Sequence, residues 1–78
     1  MARSSCCTVE IRGREYPANI RLGDLEVACT LADSAVPVLG QVERGEAVTV
    51  FGGGHQPICC RVLEADPARN YLHVEWAT

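Results

Sequence analysis

Four of the five cysteines in this 78-residue chain stand in adjacent pairs, at 6–7 and 59–60. Successive residues of a β-strand project to opposite faces, so one thiol of a pair within a strand is expected inside and the other outside. Cys60 shares the parity of its apolar neighbours, and like Cys29 it is predicted to be a small buried hydrophobic residue. Cys59 is predicted to face solvent or another protein.

The remaining thiols leave two interpretations open. Cys6, Cys7 and Cys59 are either simply tolerated at the surface, or they form disulfide bonds between subunits or with a partner after assembly. An odd number of cysteines suits bonds between chains. Because the N-terminus lacks the apolar run of a secretory signal, we expect synthesis in a cytosol, where thiols stay reduced. Disulfides within the newly made chain are therefore not expected.

Metal and catalytic sites are not favoured by the spacing. Structural zinc sites use Cys-x(2–4)-Cys knuckles, since a tetrahedral ion needs a loop between its ligands, and His55 and His73 do not supply that spacing. No nucleophile signature surrounds the Cys, His and Asp residues. The GGGH segment at 52–55 lacks the Lys-Ser/Thr ending of a phosphate loop. We expect no enzymatic activity and no cofactor.

Charge and hydropathy limit the partners of the chain. Seven arginines, with no lysine, face ten carboxylates, and the formal net charge is −3. Proteins that bind nucleic acid need a clustered excess of basic residues, which is missing here. No segment approaches the eighteen apolar residues of a membrane-spanning helix. Neither nucleic acid nor a membrane is expected as a partner.

Apolar residues alternate with a period of two along the chain, which predicts strands and an all-β fold. Polar and glycine-rich turns separate the runs. Pro37 restricts the segment 32–46 to a sheet edge or an irregular crossing. Five or six short strands at this spacing predict a small antiparallel barrel or roll. The domain is expected to span 8–78, after a flexible tail at 1–7.

The same alternation predicts which side chains form the core. Those expected to point inward are Val9, Ile11, Ile20, Leu22, Leu25, Val27, Cys29, Leu31, Val48, Val50, Ile58, Cys60, Val62, Leu72, Val74 and Trp76. Apolar residues left outside are candidates for an interface. They are Val36, Val38, Leu39, Phe51, Leu63 and Tyr71. A chain this short buries only about 60% of its unfolded surface, so association is expected to support it.

Two long stretches resemble small β-barrel bacteriophage virion proteins of the head-tail joining or tail-attachment type. VACTLADSAVPVLGQVERGEAVTVFGGG, followed by ICCRVLEADPARNYLHVEW, follows their order of strand, short crossing, Gly-plus-acid turn, valine-rich strand, loop and final hairpin. TVEIRGREYPANI is similar to the opening strand and turn common in small virion proteins. The resemblance implies a viral structural protein of the neck, head-tail joint or capsid decoration. It would be made in the host cytoplasm and located in the virion.

A second resemblance implies a regulatory module of the bacterial cytoplasm. CRVLEADPARNYLHVEW looks like the last hairpin of the PilZ domain, a cyclic-dinucleotide receptor. That family binds its ligand through Arg-x-x-x-Arg and Asp/Asn-x-Ser-x-x-Gly. Here Arg12 and Arg14 are two residues apart, and Asp33 and Ser34 are adjacent, so both motifs are broken.

The third resemblance is to the bacterial Src-homology-3-like module, which binds peptides. NIRLGD and PVLGQVERGEAVTVF are similar to it, but PICCRV replaces its aromatic ligand-facing strand. With only four aromatic residues in the chain, a groove for a peptide or glycan would have few of the side chains that it needs. We therefore predict a non-enzymatic assembly protein in a homo- or hetero-oligomer, which docks onto neighbouring protein subunits by burying an apolar patch and pairing exposed strand edges.

Overall fold

The computed structural model describes residues 5–52 and 55–77 of the chain. The strands are β1 (Ser5–Ile11), β2 (Arg14–Leu22), β3 (Glu26–Leu31), β4 (Ala47–Gly52), β5 (His55–Asp66) and β6 (Tyr71–Trp76). They close into an antiparallel barrel in the order β1-β2-β3-β6-β5-β4, and β4 pairs with β1. The predicted all-β barrel is confirmed, with six strands.

One end of the barrel is covered by the connection between β3 and β4. These strands are not neighbours in the sheet, so the connection has to pass across the barrel. It contains a 3₁₀ turn, Asp33–Ala35, and a short helix α1, Val36–Leu39. Proline is accepted in the first helical turn because its missing N–H would have no partner there. Ala35 and Leu39 are buried in the core, and we call this the capped end.

Most of the side chains predicted to point inward do form the core. The buried ones are Val9, Ile11, Ile20, Val27, Cys29, Leu31, Val48, Val50, Cys60, Val62, Leu72 and Val74. Ile58 is half-buried and packs against this cluster. Ala18 is also buried, on the same face of β2 as Ile20. No charged or polar side chain is buried among the residues described.

Three predicted core residues, Leu22, Leu25 and Trp76, are instead exposed, by 49%, 68% and 37%. Each occupies an inward-facing position in the alternation. Leu22, for example, pairs with Val27, which is fully buried. All three lie at the barrel end opposite α1, where none of the described connections crosses. The prediction was wrong for them because alternation specifies the face of a strand and not the depth along the barrel.

The N-terminal boundary also differs from the prediction. β1 begins at Ser5, and it pairs with β2 from Ser5 opposite Ile20 to Ile11 opposite Arg14. Residues 5–7, assigned to the flexible tail, are thus part of the barrel, and residues 1–4 lie outside the described chain. The strand extends this far because the side chain of Cys7 is buried in the core.

Closure removes one of the expected means of association. Each strand has a hydrogen-bonded neighbour on both sides, so the described residues leave no whole strand as a sheet edge, and only strand ends such as residues 14–16 of β2 are paired on one side. The predicted pairing of exposed strand edges is therefore limited to such strand ends, and it stays a prediction. One irregularity interrupts the ladder between β5 and β6, where the register shifts between Val62 and Glu64 and leaves Leu63 as a bulge.

Candidate functional site

Leu22, Leu25 and Trp76 together form an apolar patch at the uncapped end of the barrel, which we call the mouth surface. Two backbone hydrogen bonds hold its hairpin: the N–H of Gly23 donates to the carbonyl of Glu26 at 2.7 Å, and the N–H of Trp76 donates to the carbonyl of Leu25 at 2.9 Å. The patch is therefore attached to a fixed backbone. Ordering it against a partner would cost little additional entropy.

Charged residues surround the mouth surface. Arg21 precedes Leu22 and Asp24 precedes Leu25 along the chain, and both are exposed. Glu26 lies beside Glu75 in the register of β3 and β6, and its carboxylate is 2.6 Å from Nε2 of His73. An apolar centre with a polar rim is the usual composition of a protein–protein interface, and tryptophan is enriched among the residues that dominate binding energy.

A cleft of about 540 Å³ lies at the other end of the barrel, between the β1–β2 hairpin and α1. We call it the capped-end cleft. Its lining combines apolar side chains with hydrogen-bonding ones, namely Ile11, Arg12, Arg14, Glu15, Tyr16, Ser34, Pro37, Val38 and Gln41. The Arg14 guanidinium has no hydrogen bond or ion pair with any residue that the structure describes. The cleft therefore contains an uncommitted cation beside apolar surface.

Arg12 has a different role, because its guanidinium is already engaged. It stands in the β1–β2 turn with a left-handed φ of 55°. Its Nε donates to Oε2 of Glu46 at 2.8 Å, and its Nη2 donates to Oε1 of Glu46 and to the Gln41 carbonyl, each at 3.0 Å. These bonds tie the hairpin to the segment that precedes β4 and fix one wall of the cleft.

This pairing predicts an acid-sensitive contribution to stability. The hydrogen bond from Arg12 holds the pKa of Glu46 below its usual value of 4.5. A carboxylate with a lowered folded pKa stabilises the fold above its unfolded pKa, and this contribution is lost as the pH falls through the folded value. Between about pH 5 and pH 3, we expect the urea midpoint of the wild type to fall more than that of Glu46→Gln.

The matched control for this experiment is Glu75→Gln. Glu75 is exposed and accepts no hydrogen bond from the described residues. This variant removes one carboxylate without removing a described hydrogen bond, so the difference between the two variants measures the Arg12 pair. Equal acid dependence in the wild type and Glu46→Gln would show that the Arg12 pair adds nothing to stability.

The cysteines divide by burial. Cys29 and Cys60 are buried free thiols, as predicted, and Cys59 is an exposed free thiol on the outer face of β5. Cys7 was predicted to take part in bonds between subunits, but it is 5% exposed and lies in the core. This corrects its assignment, because a buried thiol cannot reach another subunit. The side chain of Cys6 lies outside the described residues.

The buried thiols should resist alkylation. Burial raises the pKa of Cys29 to about 12, with smaller contributions from Cys60 and Cys7, and burial raises the pKa of Cys60 to about 11. At about pH 8 the thiolate of Cys29 is then roughly 10⁴-fold less populated than the thiol. We expect iodoacetamide to modify Cys59 in the native protein and to spare Cys29 and Cys60, as measured by peptide mass spectrometry.

Unfolding in urea supplies the comparison, since every cysteine should then react. Native modification of Cys29 at the rate of Cys59 would show that the barrel opens readily on the time scale of labelling. Protection of Cys59 would show that its thiol is covered by a neighbouring molecule.

The residues predicted as an interface do not form a single patch. Leu39 is 2% exposed and belongs to the core, because α1 turns it inward over the barrel end. Val36 and Val38 are half-buried on α1, whereas Phe51 lies towards the other end of the barrel on β4. Leu63 and Tyr71 are half-buried on β5 and β6. Their role in an interface stays a prediction.

Sequence reasoning missed the mouth surface as a site. The sequence does contain a signal for this surface. Leu22, Leu25 and Trp76 are all on the inward-facing side of the alternation, and each stands beside a turn or at the end of a strand. Such positions become exposed when nothing crosses that end of a barrel. Recognising them needs the topology as well as the alternation.

Neither a membrane helix nor a metal centre is found in the part of the chain that the structure describes. Those residues contain no helix with the length and hydropathy to cross a membrane. Within the same residues, no group of three His, Cys, Asp or Glu side chains is placed to hold a metal ion. Comparison with protein-family models, with curated proteins and with solved structures finds no match to this chain.

Proposed function

We propose that this chain is a non-enzymatic assembly protein that docks onto neighbouring protein subunits through the mouth surface. The observation that carries the proposal is the exposure of Leu22, Leu25 and Trp76 together at the uncapped end. Full burial of one large apolar side chain contributes about 1.5–3 kcal/mol. A rigid cluster of three, surrounded by charged residues, is a suitable anchor for a protein partner.

Docking in this proposal works through side chains and not through strand addition. Every strand has a paired neighbour on both sides in the closed barrel, which leaves no whole strand edge for a partner strand. The partner instead covers apolar side chains that the fold leaves uncovered. The partner would thereby cover apolar side chains at the uncapped end, as α1 covers the core at the capped end.

The resemblance to phage head-tail joining and decoration proteins supports placing the chain in a virion. In that setting Cys59, which is exposed on the outer face of β5, is the described thiol that can form bonds between subunits. Non-reducing electrophoresis of the native particle tests this part. A chain that runs as a reduced monomer there would remove cross-linking from the proposal.

Sedimentation velocity of the full chain over a range of concentrations tests the docking itself. The wild type should form oligomers that grow with concentration, and the double variant Leu25→Ser/Trp76→Ser should remain monomeric. The comparison variant Phe51→Ser/Leu63→Ser removes one aromatic and one leucine from the predicted interface residues outside the mouth surface. Association like that of the wild type in this variant would support the mouth surface, and loss of association there instead would favour those residues. A wild-type chain that stays monomeric, reduced and stable at every concentration would contradict the proposal.

A second candidate function is a PilZ-like or Src-homology-3-like regulatory module. The observation that favours it is that Arg12, Arg14 and Ser34 line one cleft, although their spacing breaks the PilZ motifs. Calorimetry with a cyclic dinucleotide separates the two functions. Micromolar binding that is lost in Arg14→Ala and retained in Arg21→Ala would favour the receptor, and absence of binding would oppose it.

A further inference from the structure

We propose that the occupant of the mouth surface is a second copy of this chain, whose capped-end cleft receives the β2–β3 hairpin of its neighbour. The inserted residues are Asp24 and Leu25. This inference rests on the proposed function, because it names the partner of the same surface. The two complementary surfaces stand at opposite ends of the barrel.

The cleft has the chemistry to bind an aliphatic side chain next to a carboxylate. Pro37 and Val38 of α1, with Ile11, provide apolar lining, and the guanidinium of Arg14 provides an uncommitted positive charge. Its volume of about 540 Å³ lies within the range of about 300–1,000 Å³ that is usual for binding clefts. Glu15 also lines the cleft, so one carboxylate accompanies the positive charge of Arg14 there, while Arg12 is already paired with Glu46.

The β2–β3 hairpin presents the matching pair. Leu25 is 68% exposed, and Asp24 is exposed and has no hydrogen bond or ion pair with the described residues. The backbone bonds to Glu26 and Trp76 hold the turn in place before docking. Within the described part of a single chain both charged groups are thus unpaired, and the assembly would pair them with each other.

The positions of the two surfaces determine the kind of assembly. β2 begins at the hairpin beside the cleft and ends at the hairpin that carries Asp24, so one strand connects them. The contact is therefore between different surfaces of the two copies. Such a contact does not close as a two-fold dimer and instead adds copies into a ring or an open stack. Each copy would bind two neighbours.

Charge reversal tests the contact. We expect Arg14→Asp and Asp24→Arg each to weaken self-association by roughly tenfold or more, since like charges would then meet at the interface. Circular dichroism should show an unchanged fold, because both side chains are exposed. Sedimentation velocity of the full-length chains provides the association constants, with Arg69→Asp as the control at an exposed arginine outside the cleft lining.

The mixture of the two variants is the decisive measurement. An equimolar mixture of Arg14→Asp and Asp24→Arg chains should recover association, with the two variants alternating along the assembly. Every contact between unlike chains then joins a cation to a carboxylate: the native pair forms at one contact and the charge-reversed pair at the next. A mixture no more associated than either variant alone, or single variants that associate like the wild type, would overturn the inference.

The outcome also separates this inference from the proposed function. If Leu25→Ser/Trp76→Ser abolishes association while both charge reversals leave it unchanged, the mouth surface docks onto something other than the cleft. The proposed function would then stand and the second-copy contact would be wrong. If neither kind of variant changes association, both are wrong.

Discussion

Replacement of Leu39 by alanine is expected to lower the free energy of unfolding by about 2–5 kcal/mol, the cost of removing a buried leucine side chain and leaving a cavity. Leu39 is 2% exposed and stands in α1, which covers the capped end of the core. Small domains are stable by only about 5–15 kcal/mol, so this one substitution removes a large fraction of the total. Urea unfolding followed by circular dichroism measures the change.

The control is Val36→Ala in the same helix. Val36 is only half-buried, so its truncation should cost clearly less than that of Leu39. Helix propensity adds a smaller difference in the same direction, because replacing valine by alanine gains more propensity than replacing leucine. A Leu39→Ala protein as stable as Val36→Ala would show that α1 does not act as the cap of the barrel core.

Replacement of Gly52 by alanine is expected to destabilise the barrel by about 1–3 kcal/mol from backbone strain, with a further cost from a steric contact. Gly52 has a φ of 97°, which residues with a Cβ rarely adopt. A Cβ placed there would lie 3.3 Å from the Cα of Cys7 on β1, so the backbone of β1 or β4 would have to move. These are the strands that complete the barrel closure.

Gly45→Ala supplies a matched control, because it separates the strain from the contact. Gly45 has a similar φ of 89°, but a Cβ at this position meets no atom within 4 Å. It should therefore show the strain alone and a smaller loss of stability than Gly52→Ala. Equal losses, measured as urea midpoints, would mean that β1 and β4 are less closely packed at Gly52 than the structure shows.

These stability predictions and the docking predictions concern different parts of the molecule. Leu39 covers the capped end and Gly52 packs against β1 in the barrel wall, whereas the side chains of Leu25 and Trp76 are exposed at the uncapped end. Substituting the exposed pair with serine should thus change association far more than it changes the unfolding of the single chain. A large loss of stability in Leu25→Ser/Trp76→Ser would indicate that these side chains pack as core and are not a docking surface.

Alternation alone identified the strands and most of the core, because the direction of a side chain from a strand is a local property. Alternation places Val9 and Ile11 of β1 inside, and both are buried. It also separates the adjacent thiols of β5, since Cys60 is buried and Cys59 is exposed. The all-β class and the barrel also followed, since short strands separated by turns have few ways to bury one face. The paired cysteines are likewise explained by strand parity at 59–60.

What the amino-acid order did not determine is how deep each residue lies along the barrel axis. Leu25 carries inward parity and is exposed, whereas Leu39 stands in a segment without strand periodicity and is buried. The difference arises because the β3–β4 connection crosses one end of the barrel and no described segment crosses the other. Strand closure and the path of that connection depend on contacts between distant parts of the chain. Local sequence therefore specified the faces, and only the tertiary structure decided which end is sealed and which is left open for a partner.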